Sequence, residues 1–314
     1  MRWRQGRRSD NVEDRRDEPA RGGFNFPFPG RGGGMRFPGA GMGGRRGGMS
    51  GIGLIVVIVL FLLFGGDLGS LLQQMPAGSG VDPLPRSQTG EIGESPRSKP
   101  GDELADFTSV VLADTEDSWR PIFAQIGRQY SDPTLVLFSG AVRSACGFAQ
   151  SAVGPFYCPR DQKLYIDLAF FNELRTRFGA PGDFAQAYVV AHEVGHHVQT
   201  LLGISDKVRS AQAGASRTDA NAIQVRMELQ ADCFAGIWAN HGDRARGILE
   251  DGDVEEALTA ASAIGDDRLQ RQAQGHVVPD AFTHGTSRQR MVWFRRGLES
   301  GELTSCDTFG ADRL

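Results

Sequence analysis

His192, Glu193 and His196 stand in the order His-Glu-Val-Gly-His. On a helix, residues four apart lie one turn apart on the same face, so the two imidazoles can hold one Zn²⁺ together. The glutamate after the first histidine points at the water on such a metal and can act as its general base. The chemistry implied is hydrolysis by an activated water, most often of a peptide bond. Zinc in a hydrolase wants a third protein ligand. Glu228, in Arg226-Met-Glu-Leu-Gln-Ala-Asp-Cys233, can complete a His/His/Glu set. Asp232, one turn on, can accept a hydrogen bond from the free ring nitrogen of a metal-bound histidine, His192 by preference, and so fix its tautomer.

These residues need two helices to position them. The first runs over Phe184–Leu202. Asp183 can cap it, with Gln186 as capping-box partner, and Gly203 can end it in the left-handed region. Val189, Val190, Val194, Val198, Leu201 and Leu202 supply apolar faces, and Gly195 leaves room beside the metal. The second helix, over Arg226–Trp238, sets Glu228 and Asp232 among Met227, Leu229, Phe234, Ile237 and Trp238. Carboxylates in such apolar company need partners.

With those motifs in view, the chain resembles the gluzincin branch of zinc peptidases. More closely, it resembles the bacterial neutral zinc metallopeptidase family of YpfJ-like proteins. The matching segments are Gly154-Pro-Phe-Tyr-Cys-Pro159, Tyr165-Ile-Asp-Leu168, Ala191–Gln199, Glu228–Cys233 and Thr283-His-Gly-Thr-Ser287. The resemblance spans about residues 100–310. It implies an α+β, zincin-like domain with a small sheet over the active-site helix, attached to a membrane. By the same resemblance, His284 is the candidate to stabilise the oxyanion from outside the metal shell. His276 is a second choice and Arg290 a helper. Thr286 and Gln289 are spaced as a capping box for the helix that follows His284. His197 points about 100° around the helix from His196, which suits packing or hydrogen bonding and not the same metal. His241 reads as the end of the Glu228 helix, where a cation suits the dipole.

Gly154–Leu168 reads as a hairpin, with the turn at 159–162 and a strand from Leu164. Such a strand either pairs with substrate backbone at a sheet edge or lies inside the sheet.

Of the 314 residues, 1–48 are rich in Arg, Gly and Pro and read as a disordered cytoplasmic tail. Residues 49–66 are apolar and uncharged, about the length of one membrane span. The arginines before the span place the N-terminus in the cytoplasm and the rest outside. Residues 67–100 read as a flexible linker and 101–314 as one domain. The net charge of −4 names no partner, and no nucleic acid is expected.

All four cysteines follow the apolar run, and an even number in an exported domain suggests disulfides. Three connectivities are possible. Cys146 with Cys158 would close a hairpin and leave Cys233 with Cys306. The expectation is a membrane-anchored zinc peptidase acting on a peptide or protein substrate. A metal-dependent hydrolase of another amide, or a non-catalytic binding protein on the same fold, are the alternatives.

Overall fold

The computed structural model describes residues 1–18 and 102–314, which belong to one compact unit. The expected span at 49–66, the linker at 67–100 and the rest of the expected tail lie outside the described residues. No helix among the described residues is long and apolar enough to cross a membrane.

The architecture is α+β. A four-stranded sheet runs in the order β1–β2–β6–β5, from β1 (Val12–Asp14), β2 (Thr134–Phe138), β5 (Phe156–Cys158) and β6 (Lys163–Asp167). β1 and β6 flank β2 in parallel, with Leu135 opposite Leu164, and β5 runs antiparallel to β6. The turn at 159–162 joins these last two strands, so the expected hairpin is present and β5 is its edge strand. A separate hairpin pairs β3 (Ala141–Ser144) with β4 (Gly147–Gln150). Cys146, in its turn, is bonded to Cys158 on β5.

Among the described residues, eight helices pack beside the sheet: α1 (Glu103–Gln125), α2 (Ala169–Thr176), α3 (Asp183–Leu201), α4 (Ile204–Gln212), α5 (Arg217–Arg246), α6 (Asp253–Ala263), α7 (Asp266–Gln274) and α8 (Ser287–Ser300). α3 is buried along nearly its whole length, which is why its apolar residues do not form a single stripe. Trp238 of α5 stacks on Phe184 of α3, and Trp119 of α1 meets Phe234 of α5 edge-on. α5 and α8 cross at Gly236 and Gly297, where a Cβ on either would collide with backbone of the other. The second disulfide, Cys233–Cys306, ties α5 to the C-terminal segment near this crossing.

Three local expectations change. Asp183 is the first residue of α3 and Gly182 its cap, so the Asp183/Gln186 box does not form. Gly195 does not make room for a metal: a Cβ there would come within 2.9 Å of the Ala231 carbonyl, so it lets α5 approach α3. His241 does not end its helix, because α5 continues to Arg246. The Thr286/Gln289 box forms as expected, and Gly203 takes φ 75° after α3.

The largest correction concerns residues 1–18. They are not a disordered tail but part of the folded unit. Met1, Trp3 and Val12 are buried in its main core, and β1 is a strand of its sheet. Their own apolar content is too low to fold alone. They are ordered because the domain supplies the missing core and the counter-charges.

Candidate active site

α3 and α5 cross with the motif residues facing each other. The α3 spacing puts His192 and His196 on one face, their rings edge-to-face at 4.8 Å. Glu228 of α5 reaches between them. One of its carboxylate oxygens lies 3.2 Å from His192 Nε2 and 3.4 Å from His196 Nε2. One donor atom from each of the three residues falls within 4.8 Å of the other two. Two imidazole nitrogens and a carboxylate oxygen converging in a buried site suit Zn²⁺.

The outer ring nitrogens decide whether those inner ones are free to bind. His192 Nδ1 faces Asp232 Oδ1 at 2.8 Å. A carboxylate only accepts, so Nδ1 carries a proton, and Nε2, facing Glu228, is the nitrogen that can exchange its proton for a cation. His196 is arranged alike. Its Nδ1 lies 2.9 Å from Gln199 Oε1, while the Gln199 amide donates to the Met227 carbonyl at 2.7 Å and to Gln230. Both histidines are therefore held in the tautomer that binds a cation through Nε2.

Asp232 has no exposure to solvent and is held from several sides. Arg290 of α8 donates to both its oxygens at 2.8 Å, through Nε and Nη2. The Tyr188 hydroxyl donates to it as well, and Arg290 donates to Tyr188 at 3.1 Å. Burial would raise the Asp232 carboxyl, but the Arg290 guanidinium and His192 hold it at about 2. Burial acts against the charged form of His192 too, yet Asp232 and Glu228 outweigh it and lift this imidazole to about 9. A proton and a cation thus compete for His192 Nε2.

Glu193 behaves differently. It lies beside the histidines with 8% exposure and makes no hydrogen bond to another side chain among the described residues. Burial raises its carboxyl above the ordinary range, with the two histidines opposing. A carboxyl that is nearly buried, unpaired and raised suits proton transfer near neutral pH.

His192, Glu193, His196 and Glu228 line a cavity of about 660 Å³, together with Phe156 and Tyr157 of β5. His284 also lines it, with its side chain half exposed. Asp266 fixes the loop that carries it: Oδ2 accepts from the backbone N–H groups of Thr283, His284 and Gly285 at 2.7, 2.6 and 3.0 Å. His284 Nδ1 lies 3.0 Å from Thr283 Oγ1 and 3.4 Å from Asp266 Oδ1. The Asp266 and Glu228 carboxylates nearby raise its pKa.

His276 is exposed, bonds the Gln274 carbonyl at 3.1 Å and does not line the cavity. His197 is fully buried between the Ser131 carbonyl at 2.6 Å and the Tyr157 hydroxyl at 3.0 Å. The carbonyl requires a proton on Nε2, so Tyr157 donates to Nδ1. Burial pushes this imidazole down to about 4.

Sequence reasoning missed Gln199 and Tyr188, and it left Arg290 as a helper near substrate. Arg290 instead acts on Asp232. Its signal was an arginine directly before the apolar run of Met291, Trp293 and Phe294, 1% exposed in the structure. Gln199 sits three residues after His196, a spacing at which helix side chains meet.

A small mixed sheet beside a buried helix, with two histidines of that helix meeting a glutamate from the next long one, fits a zincin-like metallopeptidase domain. The comparisons agree. A family model described as "putative neutral zinc metallopeptidase" matches residues 1–309. The chain belongs to that family. It is 50% identical over 313 residues to the "uncharacterized protein YpfJ" of Escherichia coli K12, covering 99% of both chains. It is also 39% identical over 263 residues to the uncharacterized protein Mb2605 of Mycobacterium bovis, covering 81% of this chain and 86% of that one. No solved structure matches.

Proposed function

We propose that the protein hydrolyses peptide bonds with a zinc ion held by His192, His196 and Glu228. One observation carries the reading: the Glu228 carboxylate of α5 faces both Nε2 atoms while Glu193, on α3 with the two histidines, borders the cavity without a partner among the described residues. Zinc, when bound, would supply a Lewis acid that lowers the pKa of water and polarises the scissile carbonyl. Glu193 takes the proton from the attacking water and delivers it to the leaving amine. Its raised pKa makes the protonated form accessible for that second task. His284 Nε2, the ring atom not engaged with Thr283 and Asp266, donates to the developing oxyanion.

A peptide is favoured over another amide because β5 is an edge strand whose Phe156 and Tyr157 line the cavity. An extended substrate can add to such an edge by backbone hydrogen bonds. A purely binding role gives no reason for an unpaired buried carboxyl beside the metal group. The two disulfides support an oxidising, extracytoplasmic location, and the apolar run at 49–66 supports contact with a membrane.

The test is Glu193→Gln in the full chain, with zinc content and cleavage of a peptide library both measured. Zinc should stay at the wild-type level while turnover is lost. Cleavage at the wild-type rate would refute the general-base assignment.

A further inference from the structure

We infer that residues 1–18 and residues 102–314 lie on the same side of any membrane the protein touches, so the apolar run at 49–66 does not carry the chain across it.

The N-terminal arm is built into the domain at every level of structure. Its backbone is in register with the sheet: Val12, Glu13 and Asp14 pair with Leu135, Val136 and Leu137. Leu135 N donates to the Asn11 carbonyl at 2.8 Å, and Arg15 N to the Leu137 carbonyl at 2.8 Å. Farther along, Arg2 N donates to the Ile248 carbonyl at 2.9 Å. Its apolar side chains share the domain core, where Trp3 meets Phe107 of α1 edge-on at 5.3 Å.

Glu116 of α1 argues most strongly that this contact is permanent. It has no exposure to solvent. Its carboxylate accepts from Ser9 Oγ at 2.5 Å, Asn11 Nδ2 at 2.9 Å and Arg7 Nη2 at 2.7 Å, all from the arm. Among the described residues of the domain it has only Arg120, at 3.5 Å. Without the arm, a carboxylate placed for burial would lose nearly all its partners.

The arm's arginines are matched in the same way. Arg4 pairs with Glu103, Arg7 with Glu116 and Asp117, Arg8 with Asp106, and Arg16 with Asp14 and Asp102. Read from sequence, these arginines argue for a cytoplasmic N-terminus. In the structure their charge is answered by carboxylates, most of them on α1. They are ligands of the domain.

A bilayer core of about 30 Å cannot lie between groups that share hydrogen bonds and a core. An arm donated by a neighbouring chain would have to lie on that side too. The chain between residues 18 and 102 therefore crosses the bilayer an even number of times, if at all. The apolar run of 18 residues, 49–66, has the length of one membrane span and not two. The Gly-, Pro- and Ser-rich remainder of 19–101 holds no second apolar run of that length. An even number of crossings, with a single run long enough to make one, leaves none.

The test uses the full chain with its native disulfides. Asp10→Cys in the arm and Glu299→Cys on α8 each replace an exposed side chain. Each variant is treated with a membrane-impermeant maleimide in intact spheroplasts and again after lysis. The inference expects the two sites to behave alike: both labelled equally before and after lysis, or both protected until lysis. Labelling of one site in intact spheroplasts, with the other reached only after lysis, would overturn it.

Discussion

Replacing Arg290 by Met should destabilise the domain and loosen the metal site together. The guanidinium is 1% exposed and supplies two 2.8 Å hydrogen bonds to Asp232, which has no exposure at all. Met preserves much of the volume and removes the charge. Asp232 is held at about 2 against an ordinary value of 3.8, so the charged form gains roughly 2 kcal/mol in the fold at about 1.4 kcal/mol per unit. That gain is full above pH 4 and is lost as pH falls toward 2, since a depressed carboxyl must be protonated to release it. Removing one partner of a buried pair costs more, about 3–5 kcal/mol, because the other charge is left stranded. Urea unfolding at pH 7 should show a loss in that range. Zinc affinity should fall by about 10- to 100-fold, as it does when an outer partner of a ligand is disturbed. Adding Asp232→Asn to Arg290→Met should recover much of the stability, since no charge is then left unpaired, but not the zinc affinity. A single variant that unfolds within about 1 kcal/mol of wild type would refute the claim that Arg290 offsets the buried Asp232.

Three further outcomes are expected. His284→Ala should lower kcat by about 10²- to 10³-fold with KM and zinc content nearly unchanged, as for loss of one oxyanion donor; a change in KM alone would move His284 to substrate binding. Cys306→Ser opens a bridge between residues 73 apart and should cost about 4 kcal/mol in denaturant unfolding on the chain-entropy model, with some loss of zinc because Cys233 adjoins Asp232; an unchanged midpoint would refute it. His197 is buried neutral at about 4, below its ordinary 6.5, so it contributes stability above pH 6.5 that is lost as pH falls toward 4, roughly 3 kcal/mol in all. The His197→Gln variant should flatten the stability profile over that window, and an unflattened profile would show that another group controls it.

The metal group was legible in the chain because its information is local. His192 and His196 are one turn apart and Glu193 is their neighbour, so helix geometry alone brings them to one face. Glu228 and Asp232 carry the same spacing, and their apolar neighbours already required that they be paired. The Cys146–Cys158 pairing also followed from closeness in sequence. Tertiary structure alone decided what holds those residues. Arg290 meets Asp232 across 58 positions, and Arg7, Ser9 and Asn11 meet Glu116 across more than 100. No periodicity links them. The arm is the clearest case, because a segment rich in arginine and poor in apolar residues has the composition of a chain that cannot fold. That rule counts only the surface a segment can bury by itself. Residues 1–18 bury three apolar side chains in a core built by others, and four of their six arginines are met by carboxylates about a hundred residues away. Local spacing specified the chemical group, and long-range packing determined its protonation, its rigidity and which distant segment belongs to the domain.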